Sequence, residues 1–572
     1  MSNSVSLNQK HPVIWVYLFF LYFSFVYQMI IYISGLSHFG GLRQSLLMSV
    51  VWLIPVLLWP SKTKWITAVI GGVLWVASMA GLGYWTIYQQ DFSQSVIFIL
   101  FESSLEEGGE FIYSYYRWWH TLVFGIFSVI PYLLWKRIVP LELPLASRCK
   151  FVVVFLLIFF WPLINGYLFK GLDFQESRYA QMLRMEPAAP WNLVVGYAKY
   201  RDQLKEMNNL LDENSKLPPI PGLIEENPDS NKTLVLVIGE STNRQRMSLY
   251  GYSRKTTPML GGIRDELFVF NDVVTPRPFT IEALQQVLSF ADQKDIGAYF
   301  TQHTLLNMMK QAGYDITWIT NQQTQTQRNT MLTTFSQMAD HQIYLNNNRL
   351  QNAGQYDETV IEPFRNALSS TTSKKMIVIH LLGTHRKYDY RYPDSFNKFT
   401  NQQGVPSWVE SRLVEEYNSY DNSILYNDYV VSSLIDELRK MNSDSALVYF
   451  SDHGEEVYDT PGNLFCGRNE AKPTSAMYTV PFIVWASETY KRHNNTTLWS
   501  DYENRPYSTS DFIYTWADIA GLDFSLNNEK RSIVSDEYTK YPRWIGDPSR
   551  PNLLRRYNDV IRDNQSIAMS KS

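Results

Sequence analysis

Cysteine is nearly absent from this chain, which has only Cys149 and Cys466 among its 572 residues. Two thiols cannot form a disulfide framework, and the membrane topology inferred below places them on opposite sides of a bilayer. No Cys-x-x-Cys motif occurs, so a zinc site built on thiolates is not expected. A metal site in this protein would have to use histidine and carboxylate ligands.

A strong charge of either sign is also lacking. The net charge is −4, from 51 lysines and arginines against 55 aspartates and glutamates, and the chain has no long basic run. These features give no indication of nucleic-acid binding. Aromatic residues are abundant in the first third, and a chain of this length is expected to form two or more domains.

The first third contains apolar stretches long enough to cross a bilayer, which takes about 20 residues in each helix. Five spans are predicted, at residues 12–34, 44–60, 65–88, 119–135 and 151–169. A sixth apolar run, at 95–101, is too short to span and is typical of an interfacial segment.

The charges of the connecting loops predict the orientation of these spans. Loops 61–64 and 136–150 carry two and four lysines or arginines, which is typical of cytoplasmic loops. Loop 91–118 carries four glutamates against one arginine and is expected outside. Five spans then anchor the protein in a bacterial inner membrane, with the rest of the chain in the periplasm. The acidic loop is expected to be solvated, the alternative being that Glu106 or Glu107 binds a lipid head group.

The remaining chain divides into a bridge and a soluble domain. The bridge contains a Pro-rich turn at 185–191, helical spacing at 197–214 and a Pro-fixed linker at 215–222. Beyond it, short apolar runs alternate with amphipathic segments, as in an α/β fold with helices on both faces of a mixed, mostly parallel sheet. The predicted domains are a transmembrane domain at 1–170, a bridging helix and linker at 171–232, and a soluble catalytic domain at 233–572.

Reactive side chains follow four of the predicted strands. They are Glu240-Ser241, Asn321-Gln322, Thr384-His385 and Asp452-His453. In such sheets ligands bind beyond the carboxyl ends of the strands, so these groups are expected at one edge. Each has an ordinary structural interpretation when taken alone, such as a helix-initiating acid for Glu240 or a surface histidine for His385. Their joint occurrence favours a functional site.

Two carboxylates and one imidazole suit a divalent ion such as Zn²⁺, which accepts oxygen and nitrogen ligands. Three protein ligands with one open position form the catalytic type of zinc site, and the open position calls for a hydroxyl nucleophile. A threonine or serine hydroxyl needs a base or a metal to become reactive near neutral pH. No Gly-x-Ser-x-Gly motif is present, so metal activation fits better than a Ser-His-Asp triad.

Longer stretches carry a resemblance to a known family. They lie at residues 234–260, 270–290, 308–323, 380–393 and 449–462. They resemble the membrane-anchored phosphoethanolamine transferases of the alkaline phosphatase/sulfatase superfamily. The five-span anchor and the bridge fit as well, so the resemblance covers nearly the whole chain. Segments such as "RMEPAAPW" and "RWIGDP" resemble the subgroup that modifies the lipopolysaccharide core.

The resemblance implies roles for individual residues. The zinc-binding positions match Glu240, Thr280, Asp452 and His453. Thr280 also matches the nucleophile, although by itself it would be taken for an ordinary threonine at a helix N-terminus. His385 matches a catalytic histidine near the phosphate. Asn321 and Gln322 fall where relatives place polar groups that contact substrate, and Glu107 is a further candidate for substrate binding.

The implied reaction transfers phosphoethanolamine from phosphatidylethanolamine to a lipopolysaccharide component, a core heptose, through a covalent intermediate on Thr280. One alternative is an anchored phospho-transferase or hydrolase of the same fold with another acceptor, such as lipid A, a periplasmic glucan or a glycerol phosphate polymer. The absence of a Cys-x-Pro-x-Arg motif counts against a sulfatase. A more distant alternative is a non-enzymatic membrane protein on an enzyme-derived fold.

The segment at 463–482 departs from the relatives that modify lipid A, which often carry further histidines there. It contains none, which puts a second metal ion or a histidine acid in doubt. Candidates for a related substrate role are Arg468, Asn469, Glu470 and Tyr478. Many of those relatives also hold the soluble domain with disulfides, whereas this domain is expected to rely on its apolar core.

Overall fold

The computed structural model describes residues 12–34, 39–88, 116–214, 216–227, 231–323, 334–346, 356–550 and 553–562. Contacts within the chain divide it into two units, with the division between Lys205 and Glu206. This division falls inside the predicted bridge. The short apolar run at 95–101 and the acidic residues Glu106 and Glu107 lie outside the described residues.

Five helices in the described part of the first unit are long and apolar enough to cross a membrane. They are Pro12–Ile33, Phe39–Leu58, Pro60–Ile87, Trp118–Lys136 and Leu145–Phe169. The prediction of five spans is confirmed. Three of these helices begin five or six residues earlier than predicted, because the helical backbone continues into flanking lysines and arginines whose long side chains can reach the membrane interface.

A 3₁₀ turn divides the second span, another 3₁₀ turn begins the third, and a π-helical turn ends the last. Helices α1–α8 are Pro12–Ile33, Phe39–Met48, Leu53–Leu58, Thr63–Tyr88, Trp118–Lys136, Leu145–Ile164, Phe174–Met185 and Trp191–Asn214. The start of α7 is fixed by a capping box: the Asp173 carboxylate accepts a hydrogen bond from Glu176 N at 2.7 Å, and the Glu176 carboxylate accepts one from Asp173 N at 3.1 Å.

The second unit is built around a seven-stranded sheet. Strands β1–β7 are Lys232–Gly239, Leu267–Val269, Asp315–Gln323, His341–Asn346, Lys375–His380, Asp444–Ser451 and Phe482–Ala486. Their order across the sheet is β2-β7-β6-β1-β5-β3-β4. β7 is antiparallel to both of its neighbours and the other pairs are parallel. The predicted mixed, mostly parallel sheet is confirmed.

Helices cover both faces of this sheet, as predicted. Side chains alternate along the central strand β1: Leu234, Leu236 and Ile238 enter one hydrophobic core, and Val235 and Val237 enter the other. This period of two marks a strand that is buried on both faces. Helices α9–α17 are Pro258–Gly262, Thr280–Val287, Ala298–Thr301, Leu305–Gln311, Ile361–Leu368, Val414–Lys440, Ser475–Tyr478, Glu488–His493 and Phe512–Ala520. The first core contains residues of α10, α12 and α17, and the second contains residues of α13 and α14.

Short strand pairs lie outside the main sheet in the described chain. They are Ile224–Glu225 with Leu522–Asp523, Val273–Val274 with Tyr507–Ser508, Trp544–Ile545 with Arg555–Arg556, and Glu456–Val457 with Cys466–Gly467. The last pair is here called the small hairpin. It follows β6 after the connection 452–455, and its second strand belongs to the segment 463–482, which contains no histidine.

Candidate active site

Three ionisable side chains meet at the carboxyl edge of the sheet. Glu240 follows β1, and Asp452 and His453 follow β6; all three are buried. β1 and β6 pair in parallel with Gly239 opposite Ser451, so the residues after them are brought side by side. One potential ligand atom from each of the three lies within 4.8 Å of the others. This cluster is the strand-end arrangement that the sequence predicted.

The hydroxyl of Thr280 lies against the cluster. Its Oγ1 donates a hydrogen bond to Glu240 Oε2 at 3.0 Å and lies 3.4 Å from His453 Nε2. Thr280 is the first residue of α10, and the preceding Phe279 is extended at φ −137°. The first turn of a helix leaves backbone N–H groups free, and these attract anions such as phosphate. Thr280 is therefore placed where a hydroxyl could meet a bound phosphate.

The imidazole of His453 is held in one orientation. Its Nδ1 lies 2.9 Å from Gly454 O, which assigns the proton to Nδ1 and leaves the lone pair on Nε2. Nε2 lies 3.3 Å from Glu240 Oε1 and 3.3 Å from Asp452 Oδ2. Histidine ligands of metals are usually fixed in this way, by a hydrogen bond from the ring nitrogen that does not bind the ion.

The two oxygens of the Asp452 carboxylate have different surroundings. Oδ1 accepts hydrogen bonds from Ser241 N at 3.1 Å and His453 N at 2.7 Å. Oδ2 is buried without a hydrogen-bond partner among the described residues. A buried carboxylate oxygen left in this state is costly, and a cation would satisfy it. The two carboxylates and the imidazole therefore fit a divalent metal ion.

The charges of the cluster differ between its members. Burial, together with the neighbouring Glu240 charge, raises the pKa of Asp452 to about 7. Burial would also raise the pKa of Glu240, but His453, His385 and Arg468 outweigh it and hold that pKa well below its usual range. The cluster thus keeps an ionised carboxylate in a fully buried place, which a bound cation would stabilise further.

Close backbone packing fixes the position of Glu240. The loop after β5 passes so near that a Cβ on Gly383, which has φ +55°, would lie 2.7 Å from Glu240 N and 2.8 Å from its carbonyl oxygen. The next residue, Thr384, donates to Glu240 O from both its N–H, at 2.9 Å, and its hydroxyl, at 3.0 Å. Ser241 takes a left-handed conformation at φ 58°. It donates from Oγ to Glu240 Oε1 at 2.8 Å.

Gly454, the residue after His453, is packed closely against backbone atoms. A Cβ on Gly454 would lie 2.1 Å from Ala476 O and 2.9 Å from Thr479 O, which are backbone atoms that cannot move aside alone. Gly454→Ala is expected to lower the free energy of unfolding by about 1–3 kcal/mol or more, because overpacking forces the backbone to shift. Thermal unfolding of the full-length protein in detergent measures the effect.

The matched control is Gly261→Ala, since a Cβ there has nothing within 4 Å. Gly261 lies in α9, where alanine favours the helix, so this change should be neutral or slightly stabilising. Equal melting temperatures for the two variants would contradict the steric argument.

The polar residues Asn321 and Gln322, at the end of β3, contact different groups. Gln322 Nε2 donates to Glu240 Oε2 at 3.3 Å and to Leu381 O at 2.8 Å, so this side chain contacts the cluster. Asn321 is buried and donates instead to Asp357 Oδ1 at 2.8 Å. It braces the sheet edge beside the cluster, and its contact with substrate stays a prediction.

Asp357 was not identified from the sequence, yet it supports the loop that carries His385. Its carboxylate accepts hydrogen bonds from Leu382 N at 2.9 Å and Gly383 N at 2.7 Å. His385 is half-buried just beyond this turn, and its charge lowers the pKa of Glu240. Asp357 is the first residue of a 3₁₀ turn and lies outside any apolar run, so nothing in its local sequence indicates this role.

The four candidates in the segment without histidines have different surroundings. Arg468 reaches the cluster, with Nη1 2.6 Å from His453 Nε2. Glu470 forms a buried ion pair with Arg277. Asn469 accepts hydrogen bonds from backbone N–H groups of its own loop. Tyr478 is buried in a small hydrophobic core.

Comparison of the sequence with known proteins identifies the family. The Sulfatase family model matches residues 232–522. The chain is 47% identical, over 96% of both sequences, to the phosphoethanolamine transferase EptC of Escherichia coli (strain K12). It is also 47% identical, over 96% of both, to the phosphoethanolamine transferase CptA of Salmonella typhimurium.

Solved structures show the same similarity. The zinc complex of the C-terminal periplasmic domain of Escherichia coli EptC is 50% identical, with a TM-score of 0.58, and the match covers 60% of this chain and 97% of that one. The integral membrane protein EptA from Neisseria meningitidis is 19% identical and shares the fold, with a TM-score of 0.61 over 91% of this chain and 98% of that one. The resemblance inferred from the motifs is confirmed: the chain belongs to the phosphoethanolamine transferases, as a multi-pass membrane enzyme with a sulfatase-like catalytic domain.

Proposed function

We propose that this enzyme transfers phosphoethanolamine from phosphatidylethanolamine to a lipopolysaccharide component, a core heptose, in two steps at a zinc site. The observation that carries the proposal is the Thr280 hydroxyl, hydrogen-bonded to Glu240 at 3.0 Å beside His453 and Asp452. The choice of acceptor rests on the stretches that resemble the core-modifying subgroup. The transferase relatives and the zinc complex of EptC support the reaction and the metal.

Glu240, Asp452 and His453 would hold the zinc ion, with Thr280 as the fourth ligand. When bound, zinc lowers the pKa of a hydroxyl and stabilises negative charge that develops nearby. The fit rests on the donor set and on Asp452 Oδ2, the buried oxygen without a hydrogen-bond partner among the described residues. Residues 463–482 contain no histidine, which puts a second metal ion in doubt.

In the first step, Thr280 Oγ1 attacks the phosphorus of phosphatidylethanolamine. A new bond forms between Thr280 and phosphorus, and the bond from phosphorus to the glycerol oxygen breaks. Glu240 Oε2 accepts the hydrogen bond of the Thr280 hydroxyl and is proposed to take its proton, which it returns to Thr280 Oγ1 in the second step. His385 is proposed to protonate the departing diacylglycerol oxygen. The product on the enzyme is a phosphoethanolamine ester of Thr280.

In the second step, a hydroxyl of the acceptor attacks the same phosphorus and Thr280 leaves. His385 then accepts the proton of the acceptor hydroxyl, which is the reverse of its first role. Gln322 and Asn321, at the end of β3, are proposed to contact the substrate, and Glu107 is proposed to meet the lipid head group. The transferred group adds an ammonium to an anionic surface, which weakens its attraction for cationic peptides.

The membrane unit suits a donor that is itself a lipid. We propose that the five spans lie in the bacterial inner membrane and that the catalytic domain, residues 233–572, lies in the periplasm. The phosphatidylethanolamine head group lies at the bilayer surface, so an anchored enzyme meets it at a high effective concentration.

Mass spectrometry of lipopolysaccharide tests the proposal. Cells that carry the gene are expected to show a phosphoethanolamine group on a core sugar that is missing when the gene is deleted. The group should return when the intact gene is supplied on a plasmid. A group found on lipid A would contradict the core acceptor, and identical lipopolysaccharide in both strains would contradict lipopolysaccharide as the substrate.

A further inference from the structure

The small hairpin places the cationic side chain of Arg468 at the cluster of Glu240, Asp452 and His453. Its pairing puts Gly467 opposite Glu456, so Arg468 leaves the hairpin beside Glu455. Gly467 has φ +126°, a conformation that other residues rarely adopt, and this turn directs the chain at Arg468. The position of Arg468 is therefore set by backbone pairing that begins at Glu456, three residues after His453.

Arg468 and Thr280 approach the same imidazole nitrogen. Arg468 Nη1 lies 2.6 Å from His453 Nε2 and 3.8 Å from Glu240 Oε1. Thr280 Oγ1 lies 3.4 Å from that same nitrogen. The guanidinium carbon is also 5.9 Å from the ring centre of Phe279, the residue before Thr280. A phosphate bonded to Thr280 would therefore be within reach of the guanidinium group.

The side chain of Arg468 retains access to solvent, unlike the carboxylates beside it. It is 18% exposed, whereas Glu240 is 1% exposed, so the guanidinium lies at the entrance of the cluster. A guanidinium has five N–H donors, and His453 Nε2 would no longer accept from one of them once that nitrogen holds the zinc ion. These donors suit the planar, two-point recognition of phosphate oxygens.

A buried acid, Glu455, lies opposite Arg468 in the register of the small hairpin. Glu455 is 1% exposed, and its Oε2 has no hydrogen-bond partner among the described residues. An arginine guanidinium is cationic at physiological pH, so Arg468 brings a positive charge to the cluster.

We propose that Arg468 binds the non-bridging oxygens of the phosphoryl group during its transfer. The proposal rests on the proposed function and adds to it a second cation, supplied by the chain itself. Such a cation stabilises the charge that develops on the phosphoryl oxygens in the transition state. Arg468 lies in the segment 463–482, in which the relatives that modify lipid A often have histidines.

Binding of inorganic phosphate to the zinc-loaded full-length protein in detergent tests this role. Isothermal titration should show a dissociation constant for phosphate that is roughly 10- to 100-fold higher in Arg468→Gln than in the unchanged protein. Arg468→Lys should recover part of the affinity, because it restores the charge but not the two-point geometry. In the transfer assay, Arg468→Gln should lower kcat more than it changes KM.

The matched control is Lys472→Gln, which removes an exposed positive charge from the same loop. It should leave phosphate affinity unchanged. Two results would overturn the assignment: phosphate affinity that is unaltered in Arg468→Gln, or loss of zinc from that variant, which would make Arg468 a support for His453. If the unchanged protein binds phosphate through Arg468 but transfers no phosphoethanolamine, the proposed function fails and the phosphate contact stands.

Discussion

Thr280→Ala is expected to abolish phosphoethanolamine transfer, lowering kcat by on the order of 10⁴-fold or more, as removal of a catalytic nucleophile does. The Thr280 hydroxyl contacts Glu240 Oε2 and His453 Nε2, and no water could take its place in a covalent intermediate. Transfer from head-group-labelled phosphatidylethanolamine by the purified full-length enzyme measures the loss. The melting temperature, measured on the same samples, shows whether the fold persists.

Thr280→Ser is the matched control, because it keeps the hydroxyl and removes only a methyl group. It should retain measurable transfer and form the labelled covalent intermediate. Residual transfer by Thr280→Ala at a rate close to that of Thr280→Ser would show that another group attacks phosphorus.

Asp452→Asn is expected to release the proposed zinc ion, raising its dissociation constant by on the order of 10²-fold or more. Changes to residues that only orient metal ligands already cost 10- to 100-fold, and Asp452 is itself a proposed ligand. Asparagine can keep the acceptor that binds Ser241 N and His453 N, but it puts an N–H donor where the carboxylate oxygen faces the cluster. Metal analysis of the purified protein measures the change.

The control for this variant lies at the other end of the same strand. Asp444→Asn alters the first residue of β6, which pairs with His493 far from the cluster along the strand. It should retain zinc. Full zinc content in Asp452→Asn would contradict the assignment of Asp452 as a ligand.

Much of the fold could be predicted because the decisive residues form continuous runs. Five apolar runs predict strands in the second unit, and each coincides with a strand of the main sheet; the runs lie at 233–239, 316–320, 375–383, 446–452 and 481–486. Two edge strands were missed: β2 has three residues, and β4 begins with the exposed His341 and Gln342, so neither forms a long apolar run. The reversed direction of β7 was also out of reach, because a buried strand has the same residue pattern whichever way it runs.

The candidate site could likewise be predicted only in part. Glu240, Asp452 and His453 follow apolar runs, so strand ends alone pointed to them. Thr280 lies at the start of a short helix and was identified only through the family resemblance. Arg468 was one of four candidates in its loop, and the register of the small hairpin distinguishes it from the others. That register depends on backbone pairing, which a single sequence does not display.

β1 and β6 are far apart in the chain, and their pairing therefore affects the order in which the protein folds and binds zinc. Ser241 and Asp452, joined by a hydrogen bond, lie 211 positions apart in the chain. Closing so long a loop is entropically costly, and contacts of this kind slow folding. The proposed ligands therefore come together only after the centre of the sheet has assembled. Zinc would be acquired as a late event, from the compartment in which the domain folds, and would lock a finished structure rather than nucleate it.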